Sequence, residues 1–121
     1  MAASRDAMIH GTGIARDQDG SLSGWKSPET LLAWRMELPR AGAYHVRVLL
    51  KPAATNQTNW LEAMIAERVL RADVGASATH VQLGEFRVSR AGPRLLFLRA
   101  GGTAGPEGFA VVRGVELTPE K

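Results

Sequence analysis

Residues 31–52 read Leu-Leu-Ala-Trp-Arg-Met-Glu-Leu, then Pro-Arg-Ala-Gly, then Ala-Tyr-His-Val-Arg-Val-Leu-Leu-Lys-Pro. Their period of two constrains the fold more than any other feature of the chain. Leu32, Trp34, Met36 and Leu38 fall on one side of the alternation, against Ala33, Arg35 and Glu37. Tyr44, Val46, Val48 and Leu50 repeat the pattern against His45, Arg47 and Leu49. Alternation of this kind marks strands with one buried face, so Trp34, Tyr44, Val46 and Val48 are predicted core. Turn formers separate the two runs, which predicts an antiparallel pair. Neither strand can bury its apolar side alone, and a second layer must cover them.

The rest of the chain is punctuated in the same way. Residues 7–11 form a short apolar run ending at glycine, a predicted edge strand. Residues 12–30 are rich in Gly, Ser, Asp and Pro and read as a long loop in which Leu22 and Trp25 stand out as bulky and apolar. After the polar, turn-rich residues 51–58, Leu61, Ala63 and Ile65 alternate with Trp60, Glu62 and Met64, and residues 68–74 make the return limb of a hairpin. In residues 79–88, Val81 and Leu83 keep one phase while Phe86 and Val88 keep the other, which predicts a bulge at Gly84-Glu85. Residues 95–98 are a nearly continuous apolar run suited to a central strand. A glycine-rich loop, residues 101–108, leads to a last strand at 109–117. Residues 1–6 are set apart as a disordered or extraneous leader and 120–121 as a tail, leaving one domain over 7–119. Turn signals recur about every ten residues with no sustained helical period, the pattern of an all-β, antiparallel two-sheet β-sandwich.

Composition narrows the function classes. A chain of 121 residues holds a single core. The absence of cysteine rules out disulfides, a thiolate nucleophile and a cysteine-based zinc site. The formal charge is +3, but the arginines are spaced singly along strands, so no contiguous basic face and no nucleic-acid partner are expected. No stretch approaches the ~20 apolar residues of a membrane-spanning helix, and no membrane partner is expected. Residues 1–6 lack the apolar centre of a secretory signal. Localisation is therefore open, extracellular or periplasmic if this stretch belongs to a secreted enzyme.

Catalytic motifs are missing as well. His10, His45 and His80 lie on or beside different strands without close pairing, so no metal site is assigned to them. Gly20-Ser21-Leu22-Ser23-Gly24 has its serines at the wrong positions for a nucleophile elbow, and Gly11-Thr12-Gly13 reads as a bend rather than a dinucleotide loop. Asn56-Gln57-Thr58 fits a glycosylation sequon, which matters only in a eukaryotic secretory setting. No carboxylate pair stands out for glycoside hydrolysis, and a chain this small lacks the deep cleft such chemistry occupies. No catalytic residue is assigned.

Several pieces, taken together, carry a resemblance. They are Ala33-Trp34 ahead of an alternating strand, Pro39-x-x-Gly42-x-Tyr44-x-Val46-x-Val48, Leu83-Gly84 with Phe86, Ala91-Gly92 before Leu96-x-Leu98, and a closing Val115-Glu116-Leu117-x-Pro119. This order resembles the galactose-binding-like β-sandwiches, in particular the family 6 and family 35 carbohydrate-binding modules, and most of all the non-catalytic module appended to some bacterial α-L-fucosidases. The resemblance covers about residues 7 to 119. It implies a jelly roll that binds glycans through its loops, as an accessory module beside the catalytic domain of a parent enzyme. Such modules often carry a structural calcium held by acidic residues near the first strand and an aspartate in the last. Here Met8, Ile9 and His10 stand at the first strand and Arg113 at the aspartate's position, and a guanidinium cannot ligate a hard cation. The calcium site is predicted absent, with Arg113, in the same alternation as Val115 and Leu117, finding a carboxylate or carbonyl partner.

Sugar binding needs an aromatic face for the apolar side of the ring and a few planar polar groups for the hydroxyls. The loops and their junctions offer Trp25, Trp60 and Phe109 for the first task and Asn56, Asn59 and Glu107 for the second. Trp25 is either a plug over the sandwich end or a platform, and Trp60 either outer-sheet packing or a platform. Two readings follow: a weak glycan-binding module, or a structural or protein-interaction sandwich that has lost the sugar site. Leu49 and Met64, apolar at outward positions, would then line a contact with a second copy or an adjacent domain.

Overall fold

The computed structural model describes residues 2–3, 7–11, 14–16, 18, 21–25, 27, 29–51, 59–74, 79–102 and 111–119. Alternating side chains require pleated backbone, and the described residues supply eleven strands: β1 (Ala2–Ala3), β2 (Met8–His10), β3 (Ala15–Arg16), β4 (Leu22–Ser23), β5 (Leu31–Leu38), β6 (Gly42–Lys51), β7 (Asn59–Ile65), β8 (Arg68–Val74), β9 (His80–Val88), β10 (Gly92–Gly101) and β11 (Val111–Pro119). They pair antiparallel into two sheets. One runs β3-β4-β11-β6-β9, with β1 also on β11; the other runs β2-β5-β10-β7-β8. The inward faces meet in one core that holds Trp34, Tyr44, Val46 and Val48, each no more than 1% exposed. No helix among the described residues is long and apolar enough to cross a membrane.

The expected β5–β6 pair does not form. β5 bonds to β2 and β10, whereas β6 bonds to β11 and β9 in the opposite sheet. Residues 39–41 are thus an arch between sheets. The reason is burial: side by side, two half-apolar strands would present both greasy faces to the same uncovered side. Folding one over the other closes those faces on each other. Residues 89–91 arch from β9 to β10 in the same way, whereas β7–β8 is a hairpin, as expected, and the short β3 and β4 also pair with each other. Tyr44 fixes the first arch, its hydroxyl donating to the Arg40 carbonyl at 2.7 Å and accepting from the Arg40 amide at 3.3 Å. Its ring stacks on Phe86 with centroids 5.7 Å apart.

Two bulges reset the alternation. Pairing passes from Val46↔Gly84 to Arg47↔Gln82, so the bulge lies at Leu83-Gly84, one residue before its predicted place. Gly84 has φ 141°, and a Cβ there would press on Leu70 of the other sheet. The second bulge was not foreseen. It lies between Val112 and Gly114 and drops Arg113 out of the ladder. Val115 is buried while Arg113 is exposed, so the two do not share a phase, and Arg113 has no carboxylate or carbonyl partner among the described residues. Ala2–Ala3, placed outside the domain by the sequence reading, pairs with Gly114 and Val115 of β11. The stretch read as a long loop carries β3 and β4, pinned by Leu22 and Trp25, which are buried.

Candidate functional site

Strand geometry decides which candidates reach a common surface. Along β7 the odd residues Asn59, Leu61, Ala63 and Ile65 turn inward, and Trp60, Glu62 and Met64 turn outward. Adjacent residues therefore face opposite ways. Asn59 is 3% exposed and cannot share a solvent face with Trp60. Trp25 is 1% exposed, and its indole N–H donates to the Thr30 carbonyl at 3.1 Å. It has no open face for a sugar and packs as the plug, because its apolar ring closes one side of the core. Asn56, Glu107 and Phe109 lie outside the described residues.

Trp60 is different. It is half-buried on the outer face of the five-stranded sheet, at the start of β7 and level with Gly101 and Asp73 on its two neighbours. A Cβ on Gly101 would overlap the indole, so the ring lies across that glycine's backbone. The Arg71 guanidinium sits over the ring, 4.2 Å from its centroid, a cation–π contact. One register step away stand Glu62, paired with Arg99 at 3.9 Å, and Arg71 itself. The surface thus combines an aromatic ring with guanidinium and carboxylate groups, the set that hydrogen-bonds and stacks on polyols. Sequence reasoning missed Arg71 and Asp73. The alternation of β8, with Val69, Arg71 and Asp73 against Leu70, Ala72 and Val74, carried the signal, but their pairing to β7 was needed to bring them to Trp60.

Beyond this cluster the same face becomes apolar. Met8, Ala33, Phe97, Met64 and Val69 form one continuous row across all five strands, with Leu95 beside it. Met8, Met64, Val69 and Leu95 are 45%, 37%, 58% and 49% exposed. Leu49, the other suspected contact residue, lies half-buried on the opposite sheet.

The modules that the sequence resembles often hold a structural calcium, which makes the described oxygen donors worth locating. No group of three His, Cys, Asp or Glu side chains converges among the described residues. The short strand β2 and the last strand β11 bring Met8, Ile9, His10 and Arg113 to the expected position, and none of these side chains carries an oxygen donor.

No protein-family model and no curated protein matches the sequence. Solved structures do. The chain is similar to the Podospora anserina GH26-CBM35 β-(1,4)-mannanase, with TM-score 0.72 and 14% identity over 98% of this chain and 27% of that one. It is similar to the carbohydrate-binding module CBM36 in complex with calcium and xylotriose, with TM-score 0.68 and 12% identity over 96% of this chain and 97% of the module. A family 35 carbohydrate-binding module from Clostridium thermocellum aligns with TM-score 0.65 and 12% identity over 95% of this chain and 89% of the module. The chain spans about a quarter of the mannanase and nearly all of the isolated modules. At these identities the likeness shows the fold: the carbohydrate-binding-module β-sandwich.

Proposed function

We propose that this domain is a non-catalytic carbohydrate-binding accessory module of a larger secreted glycan-active enzyme, holding sugar weakly at the Trp60 end of the five-stranded sheet. A parent of the bacterial α-L-fucosidase kind is what the sequence resemblance suggests. The observation that supports the reading is the placement of Trp60. It is the tryptophan outside the core, on a face that also carries Arg71, Asp73, Glu62 and Arg99. A sugar ring stacks on the indole once Arg71 swings aside, and the displaced guanidinium, with five donors, takes hydroxyls at the ring edge. Displacing it costs about 0.5–1 kcal/mol at an exposed site. Affinity should lie in the millimolar to micromolar range, about −4 to −8 kcal/mol. No calcium takes part.

The test is a glycan-array screen followed by fluorescence titration of the hits. Trp60→Ala should abolish binding, and Arg71→Ala should weaken it several-fold. Binding that survives Trp60→Ala removes this surface from consideration. The second reading, a structural or interaction domain, is favoured by one observation: Gly101 and Arg71 both contact the Trp60 ring while an apolar row lies exposed beside it. An array on which the folded domain binds nothing would replace the first reading with the second.

A further inference from the structure

The arginines, spaced singly in sequence, are not spaced singly in space. β7 runs from Trp60 to the hairpin turn at Ala66-Glu67, about 20 Å at the rise of an extended chain. At that far end lie also the two arches, because β5 and β10 are neighbours in one sheet and β6 and β9 are neighbours in the other. Arg40 stands on the first arch, Arg90 on the second, and Arg68 directly after the hairpin turn. Arg94 follows the inward phase of β10 at the place where the core stops, and its guanidinium donates to the Pro93 and Arg90 carbonyls, tying the strand to the arch. Arg87 and Arg94 line an open hollow of 390 Å³ with Glu67 and Ser89. Neighbouring strands are about 4.8 Å apart and the sheets about 10 Å, so these five cations tile one end of the sandwich.

Arg94 apart, they differ in pairing from most arginines along the strands. Arg35, Arg47 and Arg99 face Glu37, Glu116 and Glu62, and Arg71 covers Trp60. Arg40, Arg68, Arg87 and Arg90 have no side-chain partner among the described residues, and the only unpaired carboxylate described beside them is Glu67. Tyr44 and Arg94 hold the backbone under Arg40 and Arg90, and strand pairing holds Arg68 and Arg87, so four unneutralised guanidinium groups are placed for anionic oxygens, which arginine takes in pairs.

We infer that this end is a second binding surface, for an anionic polysaccharide whose carboxylates or sulfates are spread along the chain. Several cations on separate turns match repeated charges better than a single small anion. The described arch and hairpin residues present no exposed aromatic ring for stacking bases. They are Pro, Ala, Ser, Arg and Glu, and the exposed Val69 and Leu95 next to them lie on the sheet face rather than at the tips that would enter a bilayer. The surface is independent of the Trp60 site, so one chain of glycan or two can engage both ends.

The experiment titrates the intact domain with dextran sulfate and, separately, with polygalacturonate, at low and at physiological salt. Binding to at least one is expected, weakening steeply with salt. Arg87→Gln/Arg90→Gln should weaken it about tenfold or more, and the charge-matched Arg35→Gln/Arg113→Gln should leave it within about threefold. All four positions are exposed, so folding should be unaffected. Glu67→Gln should tighten binding, a gain that no folding defect imitates. Trp60→Ala should leave this binding intact, which separates the two sites. Equal losses in the two arginine pairs, tighter binding to duplex DNA or to phosphatidylserine vesicles, or no binding to either polysaccharide would overturn the inference.

Discussion

The β7–β8 turn closes on Ala66 and Glu67 with φ of 51° and 65°, both in the left-handed region that L-residues avoid. Two such residues in succession form the hairpin turn whose twist suits antiparallel strands, for which Asn-Gly is the natural pair. The side chains present here strain the turn by about 1 kcal/mol or more. Ala66→Asn/Glu67→Gly should therefore stabilise the domain by about 1 kcal/mol, read as a higher urea midpoint with unchanged slope. An unchanged midpoint would mean that neighbouring contacts already offset the strain. Gly101 shows the opposite economy, where the lack of a side chain makes room for the Trp60 ring. Nothing in the local sequence Arg-Ala-Gly-Gly announces that role, since Trp60 is some forty residues earlier.

Among the elements, the segment containing β3 and β4 is held to the sheet by short pairings. It reaches the core through Leu22 and Trp25, with Ile14 packed at the margin, and Arg16 donates to the Ala7 carbonyl. Trp25→Ala removes a sealed indole and should cost about 3–5 kcal/mol, measured by urea denaturation. Trp25→Phe should recover most of that loss. A cost below about 1 kcal/mol would show that the segment is not part of the cooperative unit. Strand positions and burial phases of β5 to β9 were legible because period two is local backbone geometry. The short strands β3 and β4 were not, since two-residue pairings have no period to read and form only because β11 offers an edge. Asn59, one residue from Trp60, turns inward where Trp60 turns outward, because alternation sends strand neighbours to opposite faces.

At the scale of the molecule, the sandwich separates three surfaces: the Trp60 cluster at one end of the five-stranded sheet, the apolar row across its middle, and the arginine-rich arches at the other end. If the chain holds no calcium, millimolar EDTA or added calcium should leave the thermal midpoint within about 1 °C, by calorimetry, because a ligand that binds the native state alone raises the midpoint with the logarithm of its concentration over Kd. A shift of several degrees would place an ion in the structure. The sequence by itself determined the fold class and the composition of the core, from Trp34 and Tyr44 to Val48, because a pleated backbone sends alternate side chains to opposite sides wherever it runs. Only the tertiary structure decided that consecutive strands arch between sheets, that Trp25 is sealed while Trp60 remains half-buried at the surface, and that Arg40, Arg68, Arg87, Arg90 and Arg94 meet at one end. Those outcomes depend on which backbone hydrogen-bonds to which. The peptide groups that make those bonds are identical at every position, so the choice is made by the burial of whole faces rather than by any short run of residues.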